Sequence, residues 1–145
     1  MTGPGVRRLS LPASLSSLQA FLEFGHAGAN AAGLTAADRD QLDLVLEELL
    51  VNIARYAYQP GTGDVEVAYT VESDGKLLVQ IADKGRIFNP LEKEEPDLSS
   101  PLEDRPVGGL GIFLVRELVD SLSYRREQGR NTVSFRFPGP KQPVT

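Results

Sequence analysis

Apolar residues in the first part of the chain repeat at the spacing of a helix. Between residues 35 and 57 they recur in steps of three and four, which places them on one side of an amphipathic helix. Thr35, with Asp38 three residues later, is typical of a capping box at the start of such a helix. The predicted core positions of this helix are Leu42, Val45, Leu46, Leu49, Ile53 and either Tyr56 or Ala57.

Two shorter elements precede this helix. Residues 6–11 alternate loosely and stop at Pro12, which predicts a short edge strand because proline cannot donate to a sheet ladder. Leucines at helical spacing follow, and Gly33 is expected to end that helix.

The apolar period then changes from about four to two. Residues 64–83 alternate around a turn at "ESDGK", which predicts a β-hairpin. A second hairpin is predicted over residues 122–137, turning at "QGRN". Its inward side chains should be Val133, Phe135 and Phe137.

Residues 86–107 lie between the hairpins and are rich in proline and charge without a periodic pattern. Segments of this kind in compact domains are typically functional lids or disordered loops. The helix that follows opens with glycines and is rich in apolar residues. The side chains expected to seat it on the sheet are Ile112, Phe113, Val115, Leu118 and Val119.

This order of elements predicts an α/β (α+β) two-layer sandwich, with a mixed, mostly antiparallel sheet and helices on one face. The length of 145 residues fits one domain. We assign it to residues 1–137, with a lid at about 91–107 and a tail at 138–145.

The charge and cysteine content exclude several kinds of site and partner. The chain has no cysteine, which excludes disulfides and thiolate sites, and its net charge is −5. It shows no basic stripe, so no direct nucleic-acid partner is expected. No apolar run reaches the roughly 20 residues that cross a bilayer, so we expect a cytoplasmic protein without a membrane partner. An acidic chain of this kind would bind a nucleotide through backbone amides and a cation.

Three glycines at the start of the last helix are the first candidate site. Gly108, Gly109 and Gly111 lack the Cβ atoms that would keep a phosphate from the unpaired amides of a helix N-terminus. A flexible hinge is the competing interpretation, because a glycine-rich turn by itself is a weak motif.

The long helix carries the second candidate. Glu48 and Asn52 are four residues apart and project from the same helix face. The amide oxygen could ligate Mg²⁺, and the carboxylate could orient or deprotonate an attacking hydroxyl or water. A solvated Glu–Asn pair is the alternative.

Asp83, at the predicted end of a strand, and Gly85 form the third candidate. The carboxylate could accept from the exocyclic amine of adenine, with the glycine letting the base approach the chain. Taken alone, the same residues are also typical of an ordinary turn.

Together, in this order, the three motifs resemble the nucleotide-binding boxes of the GHKL ATPase superfamily. The stretches that carry the resemblance are "LEELLVNIARYAY", "DKGRIFNP" and "GGLGIFLVRELVDSLSY". Within that superfamily the chain looks most similar to the bacterial anti-sigma-factor serine kinases.

The resemblance implies a Bergerat-type fold that binds ATP and Mg²⁺. It makes Glu48 the general base, Asn52 the metal ligand and Asp83 the adenine-recognising carboxylate. Arg105, in the lid, is our candidate for contacting the transferred phosphate. The implied nucleotide-binding positions are Asn52, Asp83, Gly85, Phe88, Gly108, Gly109, Leu110 and Gly111.

The implied activity is transfer of the ATP γ-phosphate to a serine of a small anti-sigma-factor antagonist. A sigma factor is a further implied partner, and such kinases are commonly homodimers. The alternative function is an ATP-gated interaction module of the same fold with weak or no kinase activity. Glu48 favours activity, whereas the acidic character of the lid keeps the alternative open.

Overall fold

The computed structural model of the protein describes residue 1, residues 3–92 and residues 109–140. The predicted elements are found, in the predicted order. They are β1 (Arg7–Pro12), α1 (Leu18–Ala31), α2 (Ala36–Tyr56), β2 (Asp64–Val71), β3 (Leu77–Asp83), α3 (Gly109–Leu118), β4 (Ser121–Glu127) and β5 (Arg130–Phe137), with 3₁₀ turns at Leu15–Ser17 and Pro90–Glu92.

The five strands form one sheet in the order β1-β2-β3-β5-β4. Each of the four pairings among these described strands is antiparallel. Both hairpins are present, and β1 lies at the edge, as Pro12 predicts. The two-layer α+β sandwich is therefore confirmed.

One face of the sheet is apolar and the other is mainly polar. Alternate residues of the three central strands are buried in the same core as the helices. On these strands the buried apolar side chains of that face are Val65, Val67, Tyr69, Leu77, Val79, Ile81, Val133, Phe135 and Phe137. The apolar faces of α1, α2 and α3 complete the core, which places the helices on one side of the sheet.

Helix α2 begins as the sequence predicts. The Thr35 hydroxyl accepts a hydrogen bond from the backbone N–H of Asp38 at 3.1 Å, which satisfies one otherwise unpaired amide of the first turn. All the predicted core positions of α2 are buried. Ala57, rather than Tyr56, occupies the last of them.

Helix α3 differs from the prediction at one position. Ile112, Val115 and Val119 are buried, but Phe113 is 43% exposed. Successive residues of a helix point about 100° apart, so Phe113 cannot share the face that Ile112 presents to the core. The prediction for Phe113 was wrong because five apolar residues this close in sequence exceed one helix face.

No helix of the described residues combines the length and apolarity required to cross a membrane. The predicted lid enters the described part of the chain only at the turn Pro90–Glu92. Arg105 and Gly108 lie outside the described residues, as does the end of the predicted tail.

Candidate functional site

The glycine-rich helix start and the Glu48 carboxylate are in contact. A Cβ built on Gly111 would lie 2.1 Å from Oε2 of Glu48 and 2.1 Å from its Cδ. A side chain at position 111 would displace the Glu48 carboxylate from this position, whereas glycine leaves it in place. Packing of α3 against α2 thus brings together two motifs that are more than sixty residues apart in sequence.

The Asn52 amide is held in a defined orientation. Asn52 is buried, and its Nδ2 donates to the backbone oxygen of Glu48 at 2.8 Å and to Oε1 of Glu48 at 2.9 Å. Both bonds use the amide nitrogen, so the amide oxygen points away from Glu48. The i, i+4 spacing on α2 makes this arrangement possible.

These donors suit a hard cation that is shared with a phosphate. An amide oxygen is an appropriate ligand for Mg²⁺, which usually takes one or two protein oxygens and completes its shell with phosphates and water. Within residues 3–92 and 109–140 there is no cluster of three or more acidic or histidine side chains that could hold a metal. The Asn52 amide oxygen is therefore of the ligand type that fits Mg²⁺.

Asp83 lies at the end of β3, at the helix-covered face of the sheet. It is 3% exposed, and its Oδ1 accepts from the backbone N–H of Gly85 and from Nδ2 of Asn131, both at 2.9 Å. Burial raises the pKa of Asp83, because the charged form loses hydration. The hydrogen bond from Asn131 acts in the opposite direction and lowers that pKa.

Gly85 joins this turn to the end of α2. A Cβ on Gly85 would lie 2.2 Å from the backbone oxygen of Ala57, and the N–H of Arg86 donates to that same oxygen at 2.8 Å. The turn after β3 is thus fixed against the helix that carries Glu48 and Asn52. The three candidate motifs therefore lie along one helix.

We expect Gly85→Ala to destabilise the fold and weaken nucleotide binding. The new methyl group meets backbone rather than a flexible side chain, so the turn must move away from α2. An overpacked site of this kind costs about 1–3 kcal/mol in the free energy of unfolding, which urea denaturation measures.

Gly5→Ala is the matched control for this substitution. Its nearest heavy atom would be the Thr70 hydroxyl, at an ordinary 3.6 Å. A surface change of this kind should shift the free energy of unfolding by no more than about 0.5 kcal/mol. Equal stability of the two variants would contradict the close approach at Gly85.

Asn131 is a site residue that our sequence analysis did not find. It is 1% exposed, donates to Asp83 and to the backbone oxygen of Arg86, and accepts from the hydroxyl of Tyr124 at 2.6 Å and the N–H of Phe88 at 3.3 Å. The signal was present, because Asn131 is the one polar residue among the inward positions of β5.

The remaining candidates flank this turn or begin α3. The Phe88 ring lies 5.7 Å from the Tyr56 ring, centroid to centroid, so it borders the end of α2. Arg126 of β4, which the sequence did not single out, also contacts this turn and donates to the backbone oxygen of Gly85 at 2.8 Å. Gly109 and Leu110 are the first two residues of α3.

The described chain forms an open antiparallel sheet with helices on one face, and the three candidate motifs lie on or contact one of these helices. Residues 11–137 match the family of histidine kinase-like ATPase domains. The match covers most of the chain, and the protein belongs to this family.

The chain is also similar in sequence to serine-protein kinases. The chain is 27% identical to serine-protein kinase RsbW of Bacillus cereus over 113 residues, which is 75% of this chain and 70% of that protein. It is 26% identical over the same length to serine-protein kinase RsbW of Bacillus mycoides.

Two solved structures share the fold. The RsbU and RsbW domains of a Mycobacterium tuberculosis protein match with a TM-score of 0.64 and 16% identity, over 98% of this chain and 35% of that longer chain. A blue-light activated histidine kinase of Erythrobacter litoralis matches with a TM-score of 0.53 and 20% identity, over 83% of this chain and 41% of its own.

Proposed function

We propose that the protein is an ATP-dependent serine/threonine kinase of the anti-sigma-factor type. The observation that carries the proposal is the contact of Glu48 with Gly111, on the same helix whose C-terminal end holds the Asp83 turn. From Glu48 to Ala57 the helix rises about 13 Å. This arrangement supports adenine at Asp83 and the phosphates near Gly109, Leu110 and Gly111.

The proposed reaction is in-line phosphoryl transfer. A serine Oγ of the substrate protein forms a bond to the γ-phosphorus, the bond to the β,γ-bridging oxygen breaks, and ADP leaves. Glu48 accepts the hydroxyl proton, which is the role of a general base within hydrogen-bond reach of the nucleophile. The Asn52 oxygen would hold Mg²⁺, which supplies positive charge for the phosphate oxygens.

The activity of the relatives supports the class of the acceptor. They are serine-protein kinases, which supports a serine as the acceptor. We propose, from the family resemblance, that this serine belongs to a small anti-sigma-factor antagonist. A sigma factor as a second partner, a homodimeric state and a cytoplasmic location complete the proposal. Arg105 and Gly108 keep their proposed roles at the transferred phosphate and in the phosphate cradle.

A transfer assay tests this function. The chain is incubated with Mg²⁺, [γ-³²P]ATP and each small anti-sigma-factor antagonist of the source genome, purified singly. We expect one antagonist to become labelled, and EDTA or a Ser→Ala change at its acceptor position to abolish the label. ATP binding in calorimetry without labelling of any antagonist would contradict the kinase and favour an ATP-gated interaction module.

A further inference from the structure

A groove of about 560 Å³ continues from Glu48 and Gly111 along the outer side of α2 and α3. It is bounded at its far side by the 3₁₀ turn before α1. Its walls are mainly apolar and come from four elements, namely that turn, α1, α2 and α3. The apolar side chains that line it include Leu15, Leu18, Leu44, Val51, Leu114 and Leu118.

Helix α2 presents a second apolar stripe to this groove. Leu44, Glu48 and Val51 follow one another at helical spacing of four and three, so they share one face. The core face of α2 uses other positions, such as Leu42 and Leu49, which are fully buried. The candidate base therefore lies within an apolar stripe that the described part of the chain leaves exposed.

Several leucine side chains of the groove are exposed to solvent. Leu15 is 57% exposed, Leu44 is 53% exposed and Leu114 is 43% exposed, and the three belong to three different elements. Single exposed leucines are ordinary on protein surfaces, but several that converge in one concave site indicate contact with another polypeptide.

The position of the groove favours the acceptor segment as its occupant. Asn52 and the Asp83 turn lie from Glu48 toward the C-terminal end of α2, where we place the nucleotide. Leu44 lies in the other direction, about 6 Å along the helix. The charged side chains that line the groove are Glu47, Glu48 and Arg55. Arg55 lies about 10 Å along α2 from Glu48 toward the nucleotide side, whereas the Glu47 carboxylate lies on the opposite side, where it disfavours phosphate and favours a cationic side chain.

We propose that this groove holds the segment of the substrate protein that carries the phosphorylated hydroxyl. The inference rests on the proposed kinase function. An apolar side chain near the acceptor hydroxyl packs between Leu44 and Leu114, and a basic side chain faces Glu47. This docking presents the hydroxyl to Glu48 from the side opposite the nucleotide.

The test is a kinetic comparison of two variants in the full chain. The double variant Leu44→Gln/Leu114→Gln removes groove apolarity without adding charge beside Glu48, and both positions are half-exposed, so the fold should persist. The control is Phe113→Gln on the same helix, equally exposed but outside the groove lining. The probe is the antagonist that the unmodified chain phosphorylates.

We expect the double variant to raise KM for the antagonist at least about tenfold, as loss of a central apolar anchor does. Its kcat should stay within about twofold, and its KM for ATP should not change. Phe113→Gln should match the unmodified chain in all three constants. An unchanged KM for the antagonist in the double variant would overturn the docking proposal while leaving the kinase function intact.

Two other outcomes also overturn the proposal. If the unmodified chain phosphorylates no antagonist, the proposed function fails first, and the acceptor groove fails with it. If the double variant instead converts a dimer to a monomer in sedimentation velocity while KM for the antagonist holds, the groove is an interface between two copies of this chain.

Discussion

Glu48→Gln is expected to lower the rate of phosphoryl transfer about 10²- to 10⁴-fold while ATP still binds. Glutamine has nearly the shape of glutamate but cannot accept the hydroxyl proton. Its side-chain oxygen can still accept from Asn52 Nδ2, which now donates to Glu48 Oε1 at 2.9 Å. The orientation of the Asn52 amide should therefore survive, and the loss should fall on kcat.

Single-turnover transfer and calorimetric ATP binding measure the two effects separately. Glu117→Gln is the matched control, because this exposed residue of α3 lies outside the site and loses the same charge. It should transfer phosphate at the rate of the unmodified chain. If Glu48→Gln also transferred at that rate, Glu48 would not be the general base.

The fold was largely predictable because the apolar period follows the geometry of each element. Alternation over residues 64–83 predicted the hairpin, and apolar residues in steps of three and four predicted α2. Phe113 shows the limit of such reasoning, since periodicity ranks hydrophobic positions but cannot say which of several adjacent ones meets the core. That choice depends on how α3 is rotated against α2.

The candidate site was predictable where its geometry is local. The i, i+4 relation alone places Glu48 beside Asn52. The contact of Gly111 with Glu48 depends on helix packing, and the sequence indicated it only through a family resemblance. Asn131 was missed because its partners, Asp83 and Phe88, lie more than forty residues away along the chain.

We expect Asp83→Asn to weaken ATP binding about 10- to 100-fold, which is the range for loss of a hydrogen bond to a charged group. The asparagine oxygen can still accept from Gly85 and Asn131, so the turn should keep its shape. The new amide nitrogen would replace the second carboxylate oxygen. This amide nitrogen and the adenine amine are both hydrogen-bond donors, so they cannot pair.

The same substitution should stabilise the fold at neutral pH. The pKa of Asp83 is raised in the folded state, so the folded protein loses stability as pH rises from about 4, the ordinary carboxyl range, through the raised pKa. Asparagine carries no charge and escapes this loss. The stability gain of Asp83→Asn should therefore be present at pH 7 and vanish below about pH 4.

Calorimetry with ATP and ITP, beside urea denaturation at pH 7 and pH 3.5, separates recognition from folding. ITP has an oxygen where ATP has the amine, so Asp83→Asn should lose ATP affinity and gain ITP affinity. Asn131→Ala is the comparison variant, because it keeps the Asp83 carboxylate but removes a hydrogen bond to it. This variant should bind ATP more weakly and still prefer ATP to ITP. If Asp83→Asn left ATP binding unchanged, adenine would not bind at Asp83. If the substitution weakened ATP and ITP binding equally, Asp83 would maintain the shape of the turn rather than recognise the purine amine.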